Sequence, residues 1–260
     1  MTTTDRRSAL RAGAGLAAAG ALSAACSATG ADAHRVPPAV RTPGPPRAPA
    51  AHAVRRAPAP RRFPGQPVQI EHGPRTRPRV ALTFHGQGDP AVARALLGEA
   101  ERAGARVTVL AVGTWLDEHP EPARRILDGG HDLGNHALAV NTLSEADADA
   151  EIRGCADRLR RLTGSIGTWF RPSRAPRATP LVERLARRAG YPHVLSYDVD
   201  PLDFTSPGAA VRRGIGAAAG PGSVVSLHFG YADTVAALPA VLDDLDRRGL
   251  RAVTTTELLS

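Results

Sequence analysis

His85, His136, Arg171, Asp200 and His228 each stand at or just beyond the carboxyl end of a short β-type run, and Asp89 follows His85 by four residues. Histidine and carboxylate are the side chains that move protons near neutral pH and hold divalent cations. A carboxylate beside an imidazole raises its pKa toward the range of a general acid. Asp200 and His228 are therefore expected to pair, with Asp198 and Asp203 in the same short stretch. His85, beside two glycines, has no evident packing role and suits a base or a ligand. Asp89 followed by Pro90 reads equally well as the N-cap and first residue of a helix.

Strands are predicted at Val80–Phe84, Arg106–Val112, Asp132–His136, Thr168–Arg171, His193–Val199, Ser223–His228 and Arg251–Thr255. Helices are predicted at Asp89–Ala103, Glu121–Asp128, Ser144–Leu162, Thr179–Ala189, Pro207–Ala219 and Thr234–Arg248. Strands alternating with helices indicate a parallel α/β fold. Seven strands with a helix after most of them suggest a closed or nearly closed (β/α) barrel, whose chemistry sits at the strands' carboxyl ends. Cys155 shares a helical stripe with Ile152, Leu159 and Leu162 and is expected in the core.

The stretch VALTFHGQGDP, Val80–Pro90, resembles the opening strand of the polysaccharide deacetylases, the NodB homology domain of carbohydrate esterase family four, usually VALTFDDGP. Four more motifs follow in order: TWLDEHPEPARRILDGGHDLGNH (Thr114–His136), TWFRPSR (Thr168–Arg174), SYDVDPLDF (Ser196–Phe204) and GSVVSLHF (Gly222–Phe229). The resemblance spans residues 79–260 and implies a NodB-type barrel that removes acetyl groups from glycan. It implies a divalent metal held by an Asp and two His, a second Asp as base, an Arg that orients the base, and a His that protonates the leaving amine. By position the resemblance gives His85, Arg171, Asp200 and His228 as catalytic. It makes Leu227 a wall for the acetyl methyl and sets Phe204 in the place of a substrate-binding tryptophan.

The metal motif departs from the pattern. His85 and Gly86 occupy the two Asp positions, an acid returns only at Asp89, and Val140 stands where the second ligand His belongs. His85, Asp89 and His136 would form an acceptable donor set for zinc or a harder divalent metal. Asp89 and His136 are the expected ligands and His85 the third donor.

Residues 1–79 hold 13 arginines against three acidic residues, while the remainder holds 20 against 22. The basic pI thus belongs to the amino-terminal arm, and a slightly acidic head excludes a nucleic-acid-binding domain. Residues 1–26 read as an export signal, with Arg6-Arg7 before an uncharged run too short to span a membrane, and either Tat or Sec export fits. Leu22–Cys26 resembles a lipoprotein box, so Cys26 is the expected lipidation site. Residues 27–78, rich in Ala, Pro and Arg, are expected to be a disordered linker, leaving 79–260 as the folded head. The expectation is an exported monomer, a lipoprotein on the membrane's outer face or a secreted protein, acting on acetylated glycan. The alternative is an inactive barrel that binds glycan.

Overall fold

In the computed structural model the described residues are 56–260; the export signal, Cys26 and the linker up to residue 55 lie outside them. The strands are β1 (Gln69–Ile70), β2 (Arg79–Gly86), β3 (Thr108–Ala111), β4 (Asp132–Asn135), β5 (Val194–Leu195), β6 (Val224–His228) and β7 (Arg251–Val253). The helices are α1 (Pro90–Arg102), α2 (Gly113–Glu118), α3 (Glu121–Asp128), α4 (Glu145–Thr163), α5 (Pro180–Arg188), α6 (Gly208–Ala218), α7 (Ala232–Arg247) and α8 (Thr255–Leu258). The six predicted helices are all present within two residues at each end, whereas α2 and α8, each about one turn or a little more, have too short a period to read from sequence.

All strand pairings are parallel, with the central sheet ordered β4-β3-β2-β6 and β7 on the lower part of β2. Two stretches predicted as strands complete the ring only in part. Thr168–Arg171 forms a single bridge, Phe170 to Asn135, and of His193–Val199 only Val194–Leu195 is a strand, with a further bridge from Val199 to Val225. The ring nevertheless closes: the Arg171 amide donates to the Asn135 carbonyl (3.0 Å), the Leu195 amide to Phe170 (2.8 Å) and the Ser226 amide to Val199 (2.8 Å). Gly134 permits the closure, because a Cβ there would stand 2.5 Å from the Trp169 carbonyl oxygen.

Alternation along the strands divides inside from outside. On β2, Val80, Leu82 and Phe84 join the core beneath the helices, while Ala81 joins a lumenal cluster with Leu110, Trp169, Leu195, Val224 and Val253. Parallel strands covered on both faces read as near-continuous apolar runs, as β2 and β6 do.

The amino-terminal boundary differs from the expected one. Residues 56–78, expected to belong to the linker, pack on the barrel: β1 pairs with β5, and Ile70 is buried. Phe63 is also buried and stacks on Trp169 with centroids 5.2 Å apart and planes 14° from parallel. His193 fastens the segment, accepting from the Phe63 amide at Nε2 (3.0 Å) and donating from Nδ1 to the Pro67 carbonyl (2.7 Å). The low apolar content of the whole stretch hid two residues, Phe63 and Ile70, that bury fully. Among the described residues no helix is long and apolar enough to cross a membrane.

Candidate functional site

The inward positions of β2 and β6 face one another in register, Thr83 opposite Ser226 and His85 opposite His228. His136 follows β4 directly, so three imidazoles meet at the upper, carboxyl end of the lumen. The ring centroid of His85 lies 4.3 Å from those of both His136 and His228. These side chains form the floor of a cleft of about 520 Å³, walled also by Gln87, Arg174, Tyr197, Asp200, Phe204 and Tyr231.

Each imidazole is oriented by a bond of its own. His228 Nδ1 donates to Asp203 Oδ1 (2.7 Å), while Asp203 Oδ2 accepts from the His228 amide (2.8 Å) and the Thr234 hydroxyl (2.8 Å). Asp203 is buried, so this carboxylate is fixed before any substrate arrives. With Nδ1 committed, His228 turns Nε2 to the cleft. His136 Nδ1 donates to the Arg171 carbonyl (3.0 Å), and His85 Nε2 lies 3.1 Å from the Ser226 hydroxyl. Burial drives the His136 pKa down to about 3, with the Arg171 and His228 charges adding to it and the carbonyl bond opposing. Burial likewise holds His85 well below its ordinary value, helped by the neighbouring His136, Arg171 and His228. Both rings are therefore neutral at neutral pH.

The expected pairing of Asp200 with His228 is corrected: the partner is Asp203. Asp200 does line the cleft, but its Oδ1 accepts from the Leu202 amide (2.9 Å) and shapes the loop that carries Phe204. Two aspartates three residues apart cannot be told apart by spacing alone, and what selects Asp203 is Thr234 on α7, far along the chain. Arg171 is fully buried below the histidines, with Nε on the Leu195 carbonyl (3.2 Å), Nη2 on Ser196 (2.7 Å) and Nη1 on the Thr83 hydroxyl (2.8 Å). Burial lowers its pKa to about 10, still charged at neutral pH. It positions the chain leading to Tyr197 and Asp200, and none of its hydrogen bonds reaches the Asp200 carboxylate.

Leu227 is also corrected, because it points outward from β6 into the core beneath the helices and does not wall the cleft. Its neighbour Ser226 takes the inward position, which the i, i+2 alternation from His228 would have revealed. Phe204 is in the cleft, exposed, its ring edge-on to His228 at 5.0 Å. Tyr231, which sequence reasoning missed, stands 6.0 Å from His228 in a similar perpendicular setting.

The implied divalent metal can be tested against the donors. Asp89 caps α1, its Oδ1 accepting from the Ala91 amide (2.7 Å), and is not part of the cleft wall. Val140 is buried with Ala137 and Ala148 in a separate core cluster, so it offers packing where a ligand was expected. Asp203 is engaged by three donors and Asp200 by a backbone amide. Among the described residues no group of three or more His, Cys, Asp or Glu is arranged to hold a metal ion. The His85, Asp89 and His136 set is thus not assembled, and the donors present do not fit a catalytic zinc, which takes three protein ligands and one open position. Cys155 is no substitute: burial raises its thiol to about 12, and it packs with Ile152 and Leu159 as the stripe predicted.

Comparison with known proteins gives a consistent frame. The family described as polysaccharide deacetylase matches residues 72–194. A peptidoglycan-N-acetylglucosamine deacetylase of Bacillus cereus is 29% identical over 193 residues, which are 72% of this chain and 90% of the relative. A peptidoglycan-N-acetylglucosamine deacetylase of Listeria monocytogenes is 24% identical over 71% of this chain, but the chain spans only 39% of that longer protein. Among solved structures, a family-four carbohydrate esterase pseudoenzyme from Bacillus anthracis superposes with a TM-score of 0.70 at 21% identity, covering 75% of this chain and 70% of that one.

Proposed function

From the match of residues 72–194 to the polysaccharide deacetylase family and the likeness to a peptidoglycan deacetylase over most of its length, we propose that the chain is a member of that family and that its cleft hydrolyses acetyl groups on a cell-envelope glycan built on N-acetylglucosamine. The observation that carries this reading is the His228–Asp203 pair, a buried carboxylate that fixes one imidazole with its free nitrogen toward a cleft wide enough for a sugar. His228 Nε2 takes the proton of the attacking water and returns it to the leaving nitrogen or oxygen, while Asp203 holds the ring in one tautomer. Positioned proton transfer of this kind contributes roughly 10²–10⁴-fold. His85 and His136, neutral and closely packed, wall the reacting end. Because the donors do not fit a metal, no step is assigned to one.

The head is exported by residues 1–26 and held at the outer membrane face through lipidated Cys26, on the support of the signal-like sequence alone.

A second reading, a glycan-binding barrel without turnover, is favoured by one observation, the unassembled metal donors. Acetate released from N-acetylglucosamine oligomers and from acetylated xylan, with and without added zinc, separates the two. The enzyme reading expects release that zinc does not increase. Binding of either glycan with no acetate released would establish the second reading instead.

A further inference from the structure

Among the described residues the exposed large apolar side chains are Leu143, Leu202, Phe204 and Tyr231, and two of these four, Phe204 and Tyr231, stand together at the mouth of the cleft, with Leu202 two residues before Phe204 on the same loop. Exposed apolar groups concentrated at one place mark a binding surface more often than chance scatter does. Their display is held in place. Leu202 takes a left-handed backbone conformation (φ 53°), uncommon and strained for a bulky residue. The Asp200 carboxylate accepts from its amide, and its carbonyl accepts from both the amide (3.0 Å) and the hydroxyl (3.2 Å) of Thr205. A strained turn pinned by three hydrogen bonds thus presents Leu202 and Phe204 outward.

Phe204 and Tyr231 also wall a second groove of about 480 Å³ on the far side of the same ridge, with Thr205, Ser206 and Asp233 as its polar lining. The two hollows share these two rings. Just beyond the groove, a Cβ on Gly208 would come within 2.9 Å of the Asp233 carbonyl oxygen, so α6 and α7 begin in close contact. The sequence pairs hydroxyl and carboxylate groups with flat apolar rings. That combination suits a sugar, whose ring carries hydroxyls at its edge and C–H groups on its faces.

We propose that Phe204 and Tyr231 form an aromatic saddle over which the glycan chain passes from the reacting cleft into the second groove, so that neighbouring sugar units are held by Thr205, Ser206 and Asp233. This rests on the deacetylase reading of the cleft and adds a preference for chain length: the ligand is an oligosaccharide of two or more units.

Calorimetric binding of β-1,4-linked N-acetylglucosamine oligomers of one to four units, run beside acetate release, tests it. The tetramer is expected to bind at least tenfold more tightly than the monomer. In Tyr231→Ala and in Phe204→Ala the ratio of the two affinities should fall toward one, while Tyr231→Phe, which keeps the ring, preserves it. The Phe204 variant, on an exposed loop, guards against loss of the α7 start in the Tyr231 variant, and melting curves check both. A length preference in the parent that survives both alanine variants overturns the saddle and leaves the deacetylase reading standing. Acetate release with no length preference overturns the saddle as well. Neither binding nor acetate at any length overturns the deacetylase reading and the saddle with it.

Discussion

The two ends of one lumen are built on the same strands and do opposite things. Down β2 and β6 the inward pairs run His85 with His228, Thr83 with Ser226, and Ala81 with Val224. At the upper end the pair is two imidazoles open to a cleft. At the lower end small apolar residues meet Trp169 and are sealed by Phe63 from the amino-terminal segment. Between them lies the Arg171 guanidinium on Thr83, Leu195 and Ser196. The difference teaches that alternation decides only which residues enter the lumen. What they do there depends on whether the end is plugged, and only the upper end can be solvated and reach substrate.

The contrast can be broken from above or from below. The largest expected effect is at the top. Asp203→Asn keeps the shape but releases the His228 tautomer, and kcat should fall by roughly 10²–10⁴ with little change in melting temperature. Steady-state acetate release and a melting curve on the same preparation check this. At the bottom, Phe63→Ala removes a buried ring from the plug and should cost about 3–5 kcal/mol of stability, read from urea midpoints, with kcat of the folded fraction unchanged.

The motifs and periodicity made the barrel, six of its helices and the placing of His85, His136 and His228 at one end of it legible in the sequence, because each histidine lies at or next to the carboxyl end of a strand whose apolar run is plain. The plug was not legible: Phe63 and Ile70 are isolated in a Pro- and Arg-rich stretch, and their burial depends on Trp169 and β5, far along the chain. The pairing of His228 with Asp203 in place of Asp200, and the part played by Tyr231, were not legible for a related reason. One is selected by Thr234 and the other by its nearness to Phe204 across the mouth, relations that spacing does not encode.

A smaller effect sharpens the contrast through pH. His85 and His136 bind protons far less readily in the folded chain than at the ordinary imidazole value of 6.5, His136 only near 3. The unfolded chain therefore takes up more protons below pH 6.5, so stability is full above that value and falls as the pH drops from 6.5 toward 3. The slope is about 1.4 kcal/mol per pH unit for each such histidine. Urea midpoints at pH 7 and pH 5 should show it, and His136→Gln should reduce it, leaving the His85 contribution.

The smallest effect concerns Asp89. As an exposed helix cap, Asp89→Ala should lower stability by about 1 kcal/mol and leave kcat within twofold of the parent. A metal ligand would instead lose most activity on the same change.

The most direct test of the account is the acetate-release rate of His228→Ala on N-acetylglucosamine tetramer, with the melting temperature measured on the same sample. Proton transfer by His228 predicts a loss of roughly 10²–10⁴-fold in a protein that still melts cooperatively near the parent temperature. A variant that folds normally and releases acetate at the parent rate would contradict it.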